Sequence, residues 1–340
     1  MPDTAFSIRP AGRQRPHGWW LLRALGALGI LILIALLAGW TYQTTSERYD
    51  AAAYPMAGGL IEADGVRLHL HCMNDGAAGP TIILLTGMGS VSSAWNPVMR
   101  DVATDHRVCA YDRDGTGWSD DSGKPRDAGV AAARLAALLD AAKITGPVVL
   151  AAHSYGGIVA RVFTHTYPDR VSGLVLVDSS HQDMGQRFPP EIQGLFDDLL
   201  ASFGLVETLH HTGLPRALSL VAPAVDGLEG TDLAASMSRL NTISHMRASA
   251  AEAEGWERSA ALARQVQTFG DLPLHVLVAD DWPEPMLPSW LEMQRELAAL
   301  SSRGRFDVVA GANHSQIAMD ARYAPRVAAA IRDVTEAAAD

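Results

Sequence analysis

The sequence predicts an α/β fold: a mostly parallel eight-stranded sheet flanked by helices, with a helical cap insertion and an N-terminal transmembrane helix. Three observations predict it. Short apolar runs of strand character alternate with helical patterns, and strands separated by helices pair in parallel through right-handed crossovers. About ninety residues between Val177 and Leu274 carry helical patches and no clear strand, too long a stretch for a plain loop. Residues 24–46 contain no charged side chain at all.

Composition narrows the classes. The 340 residues are 48% hydrophobic and 19% charged, which excludes a disordered chain. A net charge of −11 argues against nucleic acid as a partner, because phosphate binding needs a concentrated basic surface. The 2 cysteines exclude a disulfide-dense scaffold and a four-thiolate zinc site. With no His-Glu-x-x-His or Cys-x-x-Cys spacing, no metal and no cofactor are implied.

The first element is the apolar segment. Arg9, Arg13, Arg15 and Arg23 precede it against Asp3 alone, and the next charge is Glu47. A helix from Trp20 to Trp40 rises roughly 30 Å, the thickness of a bilayer's hydrocarbon core. Aromatic residues at both ends suit the two interfaces, and the arginine excess keeps the amino terminus in the cytoplasm. Residues 1–23 therefore read as a basic cytoplasmic head and 24–46 as a single-pass signal anchor. The remainder is placed outside the cytoplasm, in a periplasm or at the cell surface. A cleaved secretion signal is the alternative, although Leu37-Ala38-Gly39 makes a poor cleavage site. Residues 47–59, punctuated by Tyr54-Pro55 and Gly58-Gly59, read as a tether.

Strands are expected at Leu60–Ala63, Val66–Cys72, Thr81–Leu85, Arg107–Tyr111, Pro147–Ala151, Gly173–Val177, Leu274–Ala279 and Arg305–Val309. Asp64-Gly65 joins the first two as a hairpin. Helices are expected at Ala128–Ala142, Tyr155–Thr166, Trp290–Leu300 and Tyr323–Ala338, with helical patches Glu191–Phe203, Thr231–Ala248 and Ala251–Phe269 in the insertion. This divides the body into a core at 60–181 and 272–340 with a cap at 182–271. An insertion placed there sits over the carboxyl ends of the strands, where open sheets bind ligands.

The chemistry centres on Val148-Val149-Leu150-Ala151-Ala152-His153-Ser154-Tyr155-Gly156-Gly157, which leads into a helix. An apolar strand running into a helix through x-Ser-x-Gly-Gly makes a sharp turn that lifts the serine Oγ clear, and Ala152 and Gly156 permit close approach. A serine nucleophile needs a histidine base and an acid to orient it, in the chain order serine, acid, histidine. His314, in the Gly311-Ala312-Asn313-His314 loop between the last strand and last helix, fits the base. An oxyanion needs backbone N–H donors. Tyr155, next to the nucleophile, and Met88, in Thr86-Gly87-Met88-Gly89-Ser90, supply them.

From about Leu60 onward the chain resembles the α/β-hydrolase fold superfamily. The resemblance rests on Thr86-Gly87-Met88-Gly89 at the usual His-Gly loop, Asp112-Arg113-Asp114-Gly115-Thr116-Gly117-Trp118-Ser119 at the D-x-R-G-x-G-x-S loop, the Ser154 elbow and the Asn313-His314 loop. Thr86 replaces the usual histidine, and Asp114 stands where that second loop usually carries arginine. Relatives that use an aspartate nucleophile, such as epoxide hydrolases, are set aside because Ser154 occupies that position. The resemblance leaves the acid open. In most relatives it follows the seventh strand, where this chain has Asp280, Asp281 and Glu284 and the expected position falls near Trp282. In some it ends the sixth strand, where this chain has Asp178. Asp178 is the first choice, with Asp280 and Asp281 as alternatives. The family's pairing of the second strand with the fourth also implies a disulfide between Cys72 and Cys109.

The resemblance implies a serine hydrolase that cleaves a small-molecule carboxylic ester or related acyl substrate through an acyl-enzyme. An amidase or C–C hydrolase shares the same parts, and a catalytically silent binding protein displayed at the membrane is the rival from another class. Other polar residues read as structural. His69 and His71 share one strand face far from the catalytic rim, His210 and His211 are adjacent rather than spaced as ligands, and Trp95 packs the first helix. His181 reads equally as a residue near the site or on the surface.

Overall fold

A computed structural model describes residues 19–339, so most of the basic head lies outside the described residues. The first helix, α1 (Trp19–Ala53), is solvent-exposed over nearly all its apolar length. It continues well past the expected end of the anchor, so residues 47–53 are helix and not tether. The cause lies in the face made by Gln43, Glu47 and Asp50, spaced i, i+4, i+7. Gln43 donates to the Asn241 carbonyl (2.6 Å), Glu47 accepts from the Ile243 amide (3.0 Å), and Asp50 pairs with Arg216 (2.5 Å). The helix stops just before Pro55, where the proline ring disfavours helical geometry in the preceding residue.

The sheet comprises β1 (Gly59–Ala63), β2 (Val66–Met73), β3 (Ile82–Leu85), β4 (Val108–Tyr111), β5 (Val148–His153), β6 (Val171–Val177), β7 (Leu274–Ala279) and β8 (Gly304–Val309). Their spatial order is β1-β2-β4-β3-β5-β6-β7-β8. β2 runs antiparallel to β1 and β4 while every other pair is parallel, so the sheet is mixed. Asp64 (φ 51°) and Gly65 (φ 75°) both take left-handed backbone, as the tight turn between β1 and β2 requires. In the β2–β4 register Cys72 lies directly opposite Cys109, and the two are joined by a disulfide.

Central strands are buried on both faces. Ile83, Leu85, Leu174 and Leu176 face one apolar core, and the alternate residues Ile82, Leu84, Val175 and Val177 face the other. On the first side pack α3 (Ala128–Ala141), α4 (Tyr155–Thr166) and α11 (Leu287–Ala298). On the second lie α2 (Asn96–Val102) and α13 (Ala324–Ala337), with the short α12 (Gln316–Met319) beside them. Asp127 caps α3 by accepting from the Gly129 and Val130 amides at 3.0 Å.

Between β6 and β7 the chain forms α5 (Met184–Arg187), α6 (Pro190–His210), α7 (Leu214–Ala217), α8 (Gly230–Leu240), α9 (Ile243–Glu254) and α10 (Trp256–Ala263). The expected patch 231–248 is two helices, because Thr242 stops one and caps the next by accepting from the His245 amide. The expected patch 251–269 contains the break at Gly255, where a Cβ would collide with the Arg126 carbonyl.

Candidate active site

Ser154 occupies the turn between β5 and α4 with φ 54° and ψ −126°, a conformation that side chains rarely adopt and that aims its Oγ out of the sheet. The turn is tight because its neighbours are glycine. A Cβ on Gly156 would come 2.6 Å from the Leu85 carbonyl oxygen, and Gly157 packs against the Ser179 side chain. The Ser154 carbonyl accepts from Ser180 (3.0 Å), which ties the turn to the segment that carries Asp178.

His314 reaches Ser154 from the loop after β8, with 3.0 Å between Nε2 and the serine Oγ. Its Nδ1 lies 2.6 Å from Asp178 Oδ2. A carboxylate only accepts, so Nδ1 carries the proton and Nε2 is left with the lone pair that faces the serine hydroxyl. Asp178 is fully buried at the end of β6, with φ 42°. It also accepts from the Ala279 amide (3.1 Å), the Trp282 indole (3.3 Å) and the Trp290 indole (2.8 Å). The two expected alternatives lie elsewhere: Asp280 accepts from the Gly311 amide at 2.7 Å, and the Asp281 amide donates to the Ala312 carbonyl. Both brace the histidine loop without reaching the ring.

The Met88 loop lies across from the serine, and a Cβ on Gly87 would sit 3.0 Å from the Ser154 Cβ. Among the described residues neither the Met88 nor the Tyr155 amide donates to another group, so both are free to serve a ligand. Arg113 holds this loop from behind, donating to the Thr86 (2.6 Å) and Gly87 (3.0 Å) carbonyls while pairing with Glu252 of α9. Burial works against the guanidinium charge, but Glu252 outweighs it and leaves the Arg113 pKa raised. Asp114, which replaces the arginine usual in this loop, pairs instead with Arg126 and Arg134. Asp112 receives the Ser92 and Trp118 amides and His69, so His69 is a structural residue.

Sequence reasoning missed several supporting residues. His153 is buried, its Nε2 donates to the His314 carbonyl (2.7 Å), and its ring lies 4.6 Å from that of His314. Burial and the neighbouring His314 push its pKa down to about 3, so it is neutral. Trp282 stands where an acid is usual and contacts both Asp178 and the His314 ring (5.3 Å). That substitution was the one signal available, and nothing near Trp290 or Glu252 marks their partners. Trp95 packs edge-on to His153 at 6.4 Å, and His181 is buried beside Arg161 and Glu296. His210 bonds the Asn241 carbonyl. No group of three or more His, Cys, Asp or Glu suited to a metal occurs among the described residues.

A cavity of about 590 Å³ opens above Ser154. Its floor is Gly87, Met88, Ser154 and His314, and its walls come largely from α6 through Ile192, Leu195, Phe196, Leu199, Phe203 and Val206. The volume falls in the ~300–1,000 Å³ range of ligand pockets, and the lining is mainly apolar with few polar groups.

A mixed sheet sandwiched between helices, with a serine at the turn after β5 beneath an apolar cavity, is the architecture of the α/β-hydrolase fold. The chain belongs to the alpha/beta hydrolase fold family, whose model matches residues 80–318. It is similar to an uncharacterized protein of Schizosaccharomyces pombe, with 25% identity over 339 aligned residues that cover 87% of this chain and 60% of that protein. Among solved structures it is similar to an esterase from Thermogutta terrifontis, with TM-score 0.62, 20% identity and coverage of 82% of this chain and 98% of that one. It is also similar to the Cif epoxide hydrolase from Acinetobacter nosocomialis, with TM-score 0.66, 16% identity and coverage of 87% and 96%. At those identities the two likenesses speak for the fold alone.

Proposed function

We propose that this hydrolase cleaves carboxylic esters through an acyl-enzyme intermediate, with Ser154 as nucleophile, His314 as general base and Asp178 as the orienting acid. The observation that carries the reading is the hydrogen-bonded chain from Ser154 Oγ through both His314 nitrogens to Asp178. His314 Nε2 takes the Ser154 proton as Oγ attacks the ester carbonyl. The Met88 and Tyr155 amides stabilise the oxyanion of the tetrahedral intermediate. His314 then passes its proton to the departing alcohol, and the resulting acyl-enzyme is resolved by water, which His314 activates in the same way. Asp178 holds the Nδ1 tautomer and stabilises the imidazolium.

In this reading residues 182–271 form a cap that shapes the substrate pocket, and α1 anchors the chain with its amino terminus in the cytoplasm. The Cys72–Cys109 disulfide supports a catalytic domain in an oxidising compartment. Labelling with a fluorophosphonate probe tests the chemistry: one adduct at Ser154, absent from Ser154→Ala, supports it. An unlabelled wild-type protein that still folds would favour the silent binding protein. For topology, a carboxyl-terminal reporter that works only outside the cytoplasm should be active, with the full-length protein retained in alkali-extracted membranes.

A further inference from the structure

We infer that the outer face of the inserted helices rests in the membrane interface and that the cavity above Ser154 opens there, so the substrates are long-chain acyl esters drawn from the bilayer. This rests on the serine-hydrolase and anchor readings above.

Helix α1 is fixed to the insertion, not loosely tethered. A Cβ on Gly39 would collide with the Thr212 carbonyl, and one on Gly213 would come 2.8 Å from the Gly39 carbonyl oxygen. Beyond that contact Gln43 and Asp50 clasp Arg216 at 3.2 and 2.5 Å. The depth of the contact follows from helix rise. Gly39 lies about 24 Å along the axis from Arg23, inside the charge-free span and close to its outer boundary. The turn from Thr212 to Leu220 is therefore held at the level where the anchor leaves the hydrocarbon.

That turn is apolar and open. Leu214, Leu218 and Leu220 are 46%, 59% and 46% exposed. Leu220 also lines the cavity. Across the mouth, Leu195 and Leu199 line the same cavity while remaining 65% and 54% exposed. Exposed leucines thus lie both beside the anchor's contact at Thr212–Gly213 and along the cavity lining. Held at the depth where the anchor leaves the hydrocarbon, exposed apolar side chains of this kind suit a membrane-contacting face. The lipid chemistry follows from charge. Asp197 and Asp198 are exposed on α6 and the chain is acidic overall, so the face suits a neutral phosphatidylcholine surface and repels an anionic one.

The test uses the full chain reconstituted in phosphatidylcholine vesicles. A polarity-sensitive fluorophore on Leu218→Cys, attached without reductant, should be quenched by nitroxide-bearing lipids. An unquenched probe would overturn the proposal. In parallel, turnover of a vesicle-borne palmitoyl ester and a water-soluble acetyl ester is compared for wild type and Leu214→Asp/Leu218→Asp, which lie outside the pocket lining. The expected result is a loss of about tenfold on the vesicle-borne ester with the acetyl ester unchanged. Equal effects on both esters, or wild type ignoring the palmitoyl ester, would overturn it. A quenched probe with neither ester cleaved would instead remove the serine-hydrolase reading and leave the membrane contact supported.

Discussion

Arg113 and Glu252 form a buried ion pair, at 2.6 Å between Nε and Oε1 and 2.8 Å between Nη2 and Oε2, that joins α9 of the insertion to the loop carrying Met88. The same guanidinium donates to the Thr86 and Gly87 carbonyls, so the backbone around the Met88 amide is held by a residue whose charge is balanced from α9. Removing one partner of a buried pair costs about 3–5 kcal/mol, because the other charge stays desolvated. Glu252→Ala should lower unfolding stability by that order in urea titrations. It should also reduce kcat in the fraction that remains folded, since the loop loses its support. A variant with wild-type kcat and stability would show the pair to be incidental.

Ser154 and His314 should behave as one unit. Each alanine variant alone should abolish ester turnover, and the double variant should be no worse than either single one. Circular dichroism should report an intact fold in all three. Additive losses, or near-full activity in either single variant, would mean that the 3.0 Å contact between them is not used in catalysis.

The acid can be assigned by comparing amides. Asp178→Asn leaves the shape but allows the wrong His314 tautomer, an effect that costs about 10⁴ in kcat where a serine triad operates. Asp280→Asn should be mild, because Asp280 contacts the Gly311 amide and not the ring. The reverse ranking in steady-state kinetics would move the acid to the loop after β7.

What could be read from the chain follows the range of the interactions involved. The strands were legible because Ile82–Leu85 and Val171–Val177 carry their apolar pattern locally, and each lies within a few residues of where the structure has it. Ser154 and His314 were legible as candidates because a strained turn and a tight loop need small neighbours in the sequence. Asp178 could be narrowed only to one of two regions, since its claim depends on Trp282, Trp290 and the Ala279 amide, all of them more than a hundred residues away. The extension of α1 was hidden for the same reason. Residues 47–53 look like linker until Ile243 meets Glu47 and Arg216 meets Asp50 on their polar face.

Acid sensitivity should follow from the buried histidines, chiefly His153, His181 and His245. Burial lowers the pKa of His153 to about 3 and of His181 and His245 to about 4, from an ordinary 6.5. Between those values and 6.5 the unfolded chain binds more protons at these sites than the folded one, so stability rises with pH across that window. It is complete above 6.5 and is lost as pH falls toward 4. His69 acts in the opposite sense. Burial disfavours its charge, but Asp112 and the Ala57 carbonyl raise its pKa, so its contribution is present below 6.5 and fades above. Burial also lowers His71 and His210, so the lowered histidines outnumber His69 and leave a net positive slope. Urea titrations at pH 7 and 5 should show lower stability at pH 5, with net proton uptake on unfolding, and a flat profile would contradict the burial of these rings.

The last expectation concerns the bond between Cys72 and Cys109. Both residues lie in the β2–β4 register near the antiparallel edge of the sheet, 37 positions apart in the chain. Cross-linking a loop of that length removes denatured-state entropy worth roughly 4 kcal/mol on the chain-entropy model. Cys109 is fully buried in the core, so replacing the pair with alanines also removes packing around β4. The double variant Cys72→Ala/Cys109→Ala should therefore unfold at clearly lower denaturant than wild type. Wild type treated with reductant under native conditions should lose the cross-link contribution alone, and the difference between the two midpoints separates entropy from packing. Peptide mapping without reductant gives the direct check. A single cross-linked peptide supports a catalytic domain on the oxidising side of the membrane, whereas two separately alkylated peptides would remove both the bond and that argument for location.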